Sequence, residues 1–418
     1  VKQNLNADRR RALLTRLRRP DYPGLSKLVV DDLNYRNTRG FGSMMIHAQL
    51  LKSQLDECLK LKPDLLNQGN FVNAYLSKLR PSADVDWQHD PKEKLAYLER
   101  LWKFVERLDP VHNSLKANVL YQRLSFDRSQ GVYDAARFLA YLRLPRQVHY
   151  VNPKYLQLQQ NRRYVANLGA NFQQQTLLPP VGSDEPLVRS YFAHFFKTAD
   201  KYKAYEPLVN DTYLKHLFAE TKIVNGLGDP EQWYSMLPPA LYQQLKERVD
   251  LDFAYTAEQT YGPDDPVRIE LDIKNVRQLI VKVYELNTQN YYRDTLQPVN
   301  TTIELDGLVA NLQQTHKYND PPLRRHHRTF DFPTLNKRGV YIIDFIGNGK
   351  SSRALIRKGQ LRYLVRSSTA GQLFTIVDES NRKLDGASLW HAGREYTADE
   401  KGTIAVPYSN SPGRQAIV

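Results

Sequence analysis

The most concentrated group of chemically capable side chains is the basic run Arg324-Arg325-His326-His327-Arg328. Arginine binds anions, and histidine can ligate a metal ion or transfer a proton near neutral pH. Neighbouring residues of a strand point to opposite faces, so His326 and His327 are poorly placed to share one metal ion. The run therefore predicts a solvated strand face. If it binds a ligand, the chemistry fits an acidic protein surface or an anionic glycan.

A second candidate contact is the pair Tyr291-Tyr292, which is followed by Arg293. Tyrosine combines a large apolar ring with a polar tip, which suits it to protein interfaces. Packing inside the domain uses the same properties and is the favoured interpretation. The candidate partner-binding residues of the chain are therefore Arg324, Arg325, His326, His327, Tyr291 and Tyr292.

The N-terminal half contains groups that could form an enzyme site. Tyr213, His216 and Glu220 follow one another at steps of three and four, so they share a helix face. Together with His194 they could build a hydrolytic or lyase site in a cleft beside the C-terminal half. A helix face whose polar groups are satisfied within the fold explains the spacing more simply, and we favour it.

The remaining motifs argue against catalysis. Gly347-Asn348-Gly349-Lys350-Ser351 looks like a phosphate loop, but Asp344 stands where that loop needs its first glycine, and a strand pattern follows instead of a helix. Cys58 is the single cysteine, which excludes an intrachain disulfide and a Cys-rich zinc site. We predict no catalytic residue, no metal ligand and no cofactor.

The net charge of +14 raises the question of nucleic-acid binding. Basic residues are mixed with acidic ones along the chain, as in Lys92-Glu93-Lys94. The densest basic run extends from Arg9 to Arg19 and is typical of a solvated helix face or an interdomain surface. We therefore expect no nucleic-acid partner. No apolar run approaches the roughly 18 residues that a membrane span requires.

Helical spacing dominates the chain as far as Val249. The clearest helix opens at Asp90-Pro91, where aspartate can cap the helix and proline suits its first position. Leu95, Leu98 and Leu101 then recur at steps of three, so they form one buried stripe. Serial helices of this kind predict an all-α bundle or an irregular α-solenoid over residues 1–249.

The period changes from 3.6 to 2 near Asp250. Apolar and charged residues alternate through Val267–Lys274, which is typical of a half-buried strand. Further strands are predicted at 279–286, 301–305, 328–332, 340–346, 354–357, 361–366, 374–377, 388–390 and 404–407. Short strands without intervening helices predict antiparallel β-sandwiches. The expected domains are one sandwich over 250–352 and a second, complete or truncated, over 353–418.

Two stretches resemble a known family. Tyr261-Gly262-Pro263-Asp264-Asp265, followed by the alternating strand, is similar to the opening of macroglobulin domains in alpha-2-macroglobulin-like proteins. Gly339–Phe345 is similar to the closing strand of such domains, and Leu384-Asp385-Gly386-Ala387 resembles a turn of the next, fibronectin-like module. The Cys-Gly-Glu-Gln thioester motif of that family is absent from the sequence.

This resemblance implies a fragment of a large bacterial protein of the cell envelope, in the periplasm or outside the cell. Its expected function is structural and protein-binding, related to protease inhibition, with a protease as one candidate partner. The alternative is the enzyme site in the helical half described above. Unchanged endoprotease activity toward large substrates would reject the inhibitor, whereas a deep cleft with convergent, perturbed titratable groups would favour the enzyme.

Overall fold

The computed structural model describes residues 5–82 and 85–410. It divides into two compact units, Val1–Thr221 and Lys222–Val418, called here the helical unit and the sandwich unit. The predicted fold class is confirmed, because helices occupy the chain up to residue 247 and β-sandwich strands follow from residue 250. The C-terminal residues 411–418 of the predicted second sandwich lie outside the described residues.

The helices before the first strand, in chain order, are α1 (Ala7–Arg16), α2 (Leu25–Leu33), α3 (Met45–Gln49), α4 (Lys52–Leu61), α5 (Gly69–Leu79), α6 (Pro91–Val105), α7 (Asn113–Ser129), α8 (Ala135–Leu142), α9 (Pro153–Gln157), α10 (Gln159–Arg162), α11 (Gln173–Thr176), α12 (Glu185–Thr198), α13 (Asp211–Asn225), α14 (Pro230–Tyr234) and α15 (Pro239–Glu247). Short 3-10 turns occupy Pro63–Asn67, Pro110–His112 and Lys203–Tyr205.

Helix α6 forms as its sequence predicts. The carboxylate of Asp90 accepts a hydrogen bond from the Lys92 N–H at 2.8 Å, and Pro91 occupies the first helical position. The apolar stripe of the helix buries Leu98 and Leu101 completely. A satisfied N-cap is typically worth about 1 kcal/mol, so burial of the apolar face contributes more to this helix than its cap does.

Aromatic side chains fill much of the helical core. Tyr75 of α5 stacks on Phe104 of α6 with ring centroids 4.0 Å apart, and Phe71 lies beside Tyr75. Cys58 of α4 is buried in the same core, and burial raises the pKa of its thiol to about 12. A thiol that remains protonated is a poor nucleophile, so Cys58 acts here as a small apolar residue.

A buried ion pair joins α8, the segment after it and the start of α12. The guanidinium of Arg146 and the carboxylate of Asp184 are both fully buried, with Arg146 Nε 3.1 Å from Asp184 Oδ2. The Tyr141 hydroxyl donates to the same carboxylate oxygen at 2.7 Å, and the guanidinium lies 4.1 Å from the Tyr141 ring centroid. Removing one partner would leave an uncompensated charge inside the protein, which is strongly destabilising.

The sandwich unit contains β1 (Asp250–Phe253), β2 (Thr260–Tyr261), β3 (Arg268–Lys274), β4 (Gln278–Leu286), β5 (Leu312–Lys317), β6 (Arg325–Asp331), β7 (Gly339–Gly347), β8 (Lys350–Lys358), β9 (Arg362–Ser367), β10 (Gly371–Val377), β11 (Ser388–His391), β12 (Arg394–Thr397) and β13 (Ile404–Pro407). One helix, α16 (Thr288–Thr295), follows β4. The sheets have the orders β1-β3-β6, β2-β8-β7-β4-β5, β13-β10-β9 and β11-β12.

The first sandwich packs its three-stranded sheet against its five-stranded sheet. Alternate residues of β3, among them Ile269, Leu271 and Ile273, meet Val281 of β4 and Phe345 of β7 in one buried cluster. The alternation in the sequence therefore marks the inner face of β3 as predicted. Strands β7 and β8 are neighbours and are joined by the tight turn at Gly347–Gly349. The glycine-rich motif is therefore a hairpin turn and not a phosphate loop.

In this region one predicted strand was wrong and one helix was not predicted. Residues 301–305 form turns and extended chain instead of a strand, and α16 is a helix within a region predicted to lack one. Strands β1, β2, β5 and β12 were not predicted. In β5 the sequence Leu-Gln-Gln-Thr-His-Lys offers little apolar alternation, because both faces of an edge strand are partly open to water.

Strands β9 to β13 form a smaller module around Phe374, Leu389, Ile404 and Val406. The predicted boundary at residue 352 falls within β8, which continues to Lys358. The domain limits 1–249, 250–352 and 353–418 remain predictions. Arg338 and Glu379 form a two-point ion pair at the junction of the two modules, with Nη2–Oε1 and Nη1–Oε2 distances of 2.6 and 2.8 Å.

The buried ion pair yields a stability prediction. Asp184→Asn should lower the free energy of unfolding by about 3 kcal/mol, because the Arg146 charge stays buried without a counter-charge. Urea titration followed by circular dichroism measures the change. Asp200→Asn, at an exposed carboxylate, is the matched control and should shift the transition by less than about 0.5 kcal/mol. Equal shifts in the two variants would contradict the assignment.

Candidate functional site

The densest basic run of the sequence lies on and just after α1. Asn6 caps this helix by accepting the Arg9 N–H at 2.9 Å, and Leu14 anchors its inner side with no exposed surface. Arg9 and Arg16 are exposed and seven residues apart, so they occupy the same face about 10 Å from each other along the axis. The helical spacing alone therefore separates an anchored side from a charged side.

The chain beyond α1 extends this charge. Arg18 and Arg19 are both exposed, and the Arg18 guanidinium folds back to donate to the Thr15 carbonyl at 2.7 Å. We call Arg9, Arg16, Arg18 and Arg19 the N-terminal basic surface. Within the described residues, none of the four has an acidic partner within ion-pair distance. Their charges are therefore available to an external acidic group.

Arg11 differs from these four residues. Its Nε lies 3.4 Å from the buried carboxylate of Asp32, and its Nη2 donates to the Asn37 carbonyl at 3.1 Å. These contacts hold the segment that follows α2 beside α1. Arg36 and Arg39 are exposed on that segment, so it adds further positive charge beside the N-terminal basic surface.

Close to this region lies a buried histidine. His47 of α3 has no exposed surface, stacks on Phe41 with centroids 4.7 Å apart, and accepts the Gly42 N–H at Nδ1 over 2.8 Å. Burial lowers the pKa of His47 to about 4, although the charge of Asp32 opposes the shift. The imidazole is therefore neutral at physiological pH and serves the local fold.

The predicted basic run 324–328 lies on and before β6, where its members separate. Arg325 forms ion pairs with Asp250 at 2.6 Å and Asp252 at 3.4 Å. His327 lies on the same face, 3.0 Å from Asp272 Oδ1. The outer face of the β1-β3-β6 sheet is thus a network in which Arg325 and His327 each have an acidic partner.

His326 and Arg328 lie on the other face of β6. His326 Nε2 is 3.6 Å from Asp320 Oδ1, and Arg328 donates to the second oxygen of the same carboxylate. Arg324 precedes the strand, and its guanidinium occupies the space beside Gly226, where a Cβ would lie only 1.1 Å from Nη1. The structure therefore divides the five residues among three environments.

Tyr291 and Tyr292 lie on α16, with ring centroids 6.0 Å apart. Both rings pack partly buried against a cluster that contains Tyr284, Val299 and Ile342. The adjacent Arg293 forms an ion pair with Glu395 at 2.8 Å and lies 4.6 Å from the Trp390 ring centroid. This segment thus contributes to packing and to the junction between the two sandwich modules.

Three of the four residues considered for an enzyme site have partners within the fold. His194 stacks on Tyr133 with centroids 3.8 Å apart, and Glu220 forms an ion pair with Arg189. The Tyr213 ring packs against Tyr150 at 5.3 Å. Burial lowers the pKa values of His194 and His216, which is the expected effect of partial desolvation on a base.

Residues 5–82 and 85–410 contain no group of three or more His, Cys, Asp or Glu arranged to hold a metal ion. Within the same ranges, no helix combines the length and apolar character needed to cross a membrane.

Residues 1–249 match the family described as the actin-binding protein F N-terminal domain. The chain belongs to this family. Residues 279–359 match the first immunoglobulin-like domain of AbpF, which corresponds to the region from β4 to just past β8. The chain is also 32% identical over 402 residues to "Actin-binding protein F" of Dictyostelium discoideum.

That alignment covers 95% of this chain but 17% of the Dictyostelium protein. Two solved fragments of Escherichia coli alpha-2-macroglobulin are also similar. One spans domains MG0-NIE-MG1, with 10% identity, a TM-score of 0.28, and coverage of 41% of this chain and 64% of that one. The other spans NIE-MG1, with 12% identity, a TM-score of 0.26, and coverage of 41% and 96%. These scores are too low to support a functional conclusion.

The predicted function and localisation were therefore wrong. A bacterial envelope protein related to protease inhibition is contradicted by membership of the actin-binding protein F family and by the Dictyostelium relative. The error has a physical origin. The Gly/Pro-Asp turns and alternating strands that resembled macroglobulin modules are requirements of β-sandwiches in general, so they indicate a fold without indicating a function.

His47 gives a prediction for pH dependence. The pKa of His47 in the folded state, about 4, lies below its ordinary value of 6.5, so between these values the unfolded chain binds more protons. Stability should fall by about 3 kcal/mol as pH drops from about 6.5 to 4, and this contribution should be constant above that window. His47→Asn keeps an acceptor for Gly42 and should make the free energy of unfolding nearly independent of pH in this window. Urea titrations from pH 7 to 4 measure this free energy. The assignment is refuted if it changes with pH in the variant as it does in the wild type.

Proposed function

We propose that this chain is a non-catalytic, actin-binding segment that contacts actin filaments through the N-terminal basic surface. The observation that supports the proposal is the family match of residues 1–249, within which this surface lies. The Dictyostelium relative is named an actin-binding protein, and this chain spans 17% of its length. The proposal transfers the binding of actin from that protein to the helical half of this one.

Charge supports the choice of surface. The first 50 residues contain ten Lys or Arg and four Asp, with no Glu, whereas the whole chain contains 59 Lys or Arg and 45 Asp or Glu. Opposite charge on two proteins accelerates their encounter and favours one orientation. A basic surface of this kind fits an acidic filament.

The arrangement of the arginines also suits a protein partner. Arg9 and Arg16 project from a helix whose other side is fixed by Leu14 and by the Arg11–Asp32 pair. A rigid helix presents both charges with less loss of conformational entropy than a flexible tail would require. Screening at physiological salt extends over about 8 Å, so charges spaced about 10 Å apart make largely separate contributions.

Charge reversal tests the proposal. The triple variant Arg9→Glu/Arg16→Glu/Arg19→Glu should weaken co-sedimentation with filamentous actin by about tenfold or more at low salt, because three favourable charges become repulsive. The difference should shrink as salt is added. Circular dichroism establishes that the variant retains its helices.

The matched control reverses the same number of charges elsewhere in the helical unit. Lys154→Glu/Arg162→Glu/Lys201→Glu changes three exposed residues outside the N-terminal basic surface. At physiological salt it should retain at least about half of the wild-type affinity, since the long-range effect of net charge is screened there. The proposed surface is incorrect if both triple variants lose affinity equally. The proposed function is incorrect if the wild-type chain does not sediment with actin.

A further inference from the structure

The first sandwich has two open strand edges on the same side. β5 pairs with β4 and ends the five-stranded sheet, while β6 pairs with β3 and ends the three-stranded sheet. Gln313, Gln314 and Thr315 of β5 are exposed. An edge strand presents backbone N–H and C=O groups that can pair with another chain.

The two edges approach each other across the sandwich. The His316 ring of β5 lies 5.4 Å from the Phe330 ring of β6, and the Arg328 guanidinium lies 3.9 Å from the centroid of Tyr318. His316 and Tyr318 also have nearly parallel rings, 6.4 Å apart. These four residues, with His326, line what we call the edge cleft.

The residues of β6 in this cleft occupy positions where apolar side chains are expected. Arg328 is directly opposite Leu271 and His326 is opposite Ile273, both of which are buried in the core. Residues opposite each other across two strands share a face of the sheet. Two basic side chains therefore lie on the inner face, at the point where the sandwich is open.

Two of these basic side chains share one carboxylate. Asp320 accepts a hydrogen bond from Arg328 and lies 3.6 Å from His326 Nε2, whereas the Arg328 Nε and His316 Nε2 atoms have no hydrogen-bond partner among the described residues. Buried polar nitrogens are normally satisfied. An acidic group that reached this position would find nitrogen donors beyond those that Asp320 already binds.

We propose that the edge cleft binds an extended segment of a partner protein, which adds as a strand to β5 and directs an acidic side chain at His326 and Arg328. The open edge of β5 supplies the backbone hydrogen bonds, and the cleft selects the side chains. Alternate residues of the added strand would enter the cleft. At its other end, near Leu312, the cleft adjoins the apolar core and favours an apolar residue.

This proposal is independent of actin binding by the helical half, because it concerns residues 312–330 alone. It also adds a role for His326 and Arg328 beyond their shared pairing with Asp320. A sandwich edge closed by apolar side chains would be more stable than one that buries unsatisfied nitrogens.

Binding of a synthetic peptide of about seven residues to the whole chain tests the proposal. Its sequence alternates threonine and valine. One glutamate replaces a valine near one end, so that its side chain lies on the same face as the valines. A second peptide replaces the glutamate by lysine. Fluorescence anisotropy should give an affinity about tenfold higher for the glutamate peptide, because a charge-assisted hydrogen bond forms inside the cleft. Equal affinities would overturn the assignment of the acidic side chain.

Hydrogen exchange locates the peptide. Addition of the glutamate peptide should slow exchange of amides within Leu312–Lys317 by about tenfold, because β5 gains a second neighbour. The same peptide with N-methylated backbone amides should give no protection. Protection elsewhere in the chain with none in β5 would overturn strand addition.

Two matched substitutions test whether the side chains of the peptide enter the cleft or lie on the outer surface. Gln314 and Gln313 are adjacent and exposed, but Gln314 is opposite the buried Val281, whereas Gln313 is opposite Lys282. Gln314→Glu places a negative charge inside the cleft and should weaken the glutamate peptide about fivefold, while Gln313→Glu should have less than half that effect. Equal effects of the two substitutions would contradict entry of the peptide side chains into the cleft.

The contribution of the guanidinium is tested separately. Arg328→Met with Asp320→Asn removes the charge and its partner together, so no uncompensated carboxylate remains. The preference for glutamate over lysine should fall to about twofold or less, with β5 protection retained. An unchanged preference would exclude Arg328 as the residue that recognises the acidic group.

Discussion

The geometry of the first sandwich depends on the carboxylate of Asp250. This residue begins β1 and is 3% exposed, and Arg248 and Arg325 hold it at 2.8 and 2.6 Å. Burial by itself would raise the pKa of Asp250, but the hydrogen bond from Arg248 and the charge of Arg325 outweigh it and lower the pKa. Because Arg325 belongs to β6, the interaction links the two outer strands of the sheet across β3.

This link fixes which face each residue of β6 occupies. A shift of one residue in the register would exchange the positions of His326 and His327, since successive side chains alternate between faces. In the observed register His327 lies beside Asp272 on the outer face, and His326 lies on the inner face opposite Ile273. The outer face is therefore neutralised within the sheet, while the two basic side chains of the inner edge share the single carboxylate of Asp320.

The helical unit uses arginine in two contrasting ways. In the helical unit Arg146 is buried with Asp184, and Arg11 is anchored on Asp32, so both hold segments of the fold together. Arg9 and Arg16, on the same helix as Arg11, remain exposed. The spacing of residues along a helix is sufficient to give neighbouring arginines structural and external roles.

The amino-acid sequence by itself determined the change from helices to strands near residue 250, the cap of α6 at Asp90 and the inner face of β3. These features are local, because a cap or a periodic stripe is encoded within a few consecutive residues. The sequence also predicted that His326 and His327 would point to opposite faces, and they do. It gave the wrong function, because turns and alternating strands are common to unrelated sandwiches.

Only the tertiary structure decided which charges are neutralised. The partners of Arg325 and Arg328 are Asp250 and Asp320, which no motif connects to them. Strand β5 could not be recognised from its polar sequence, because its conformation comes from pairing with β4. Long-range pairing depends on which surfaces meet after the chain folds, so the open edge at β5 and its inward-facing cations became visible only in three dimensions.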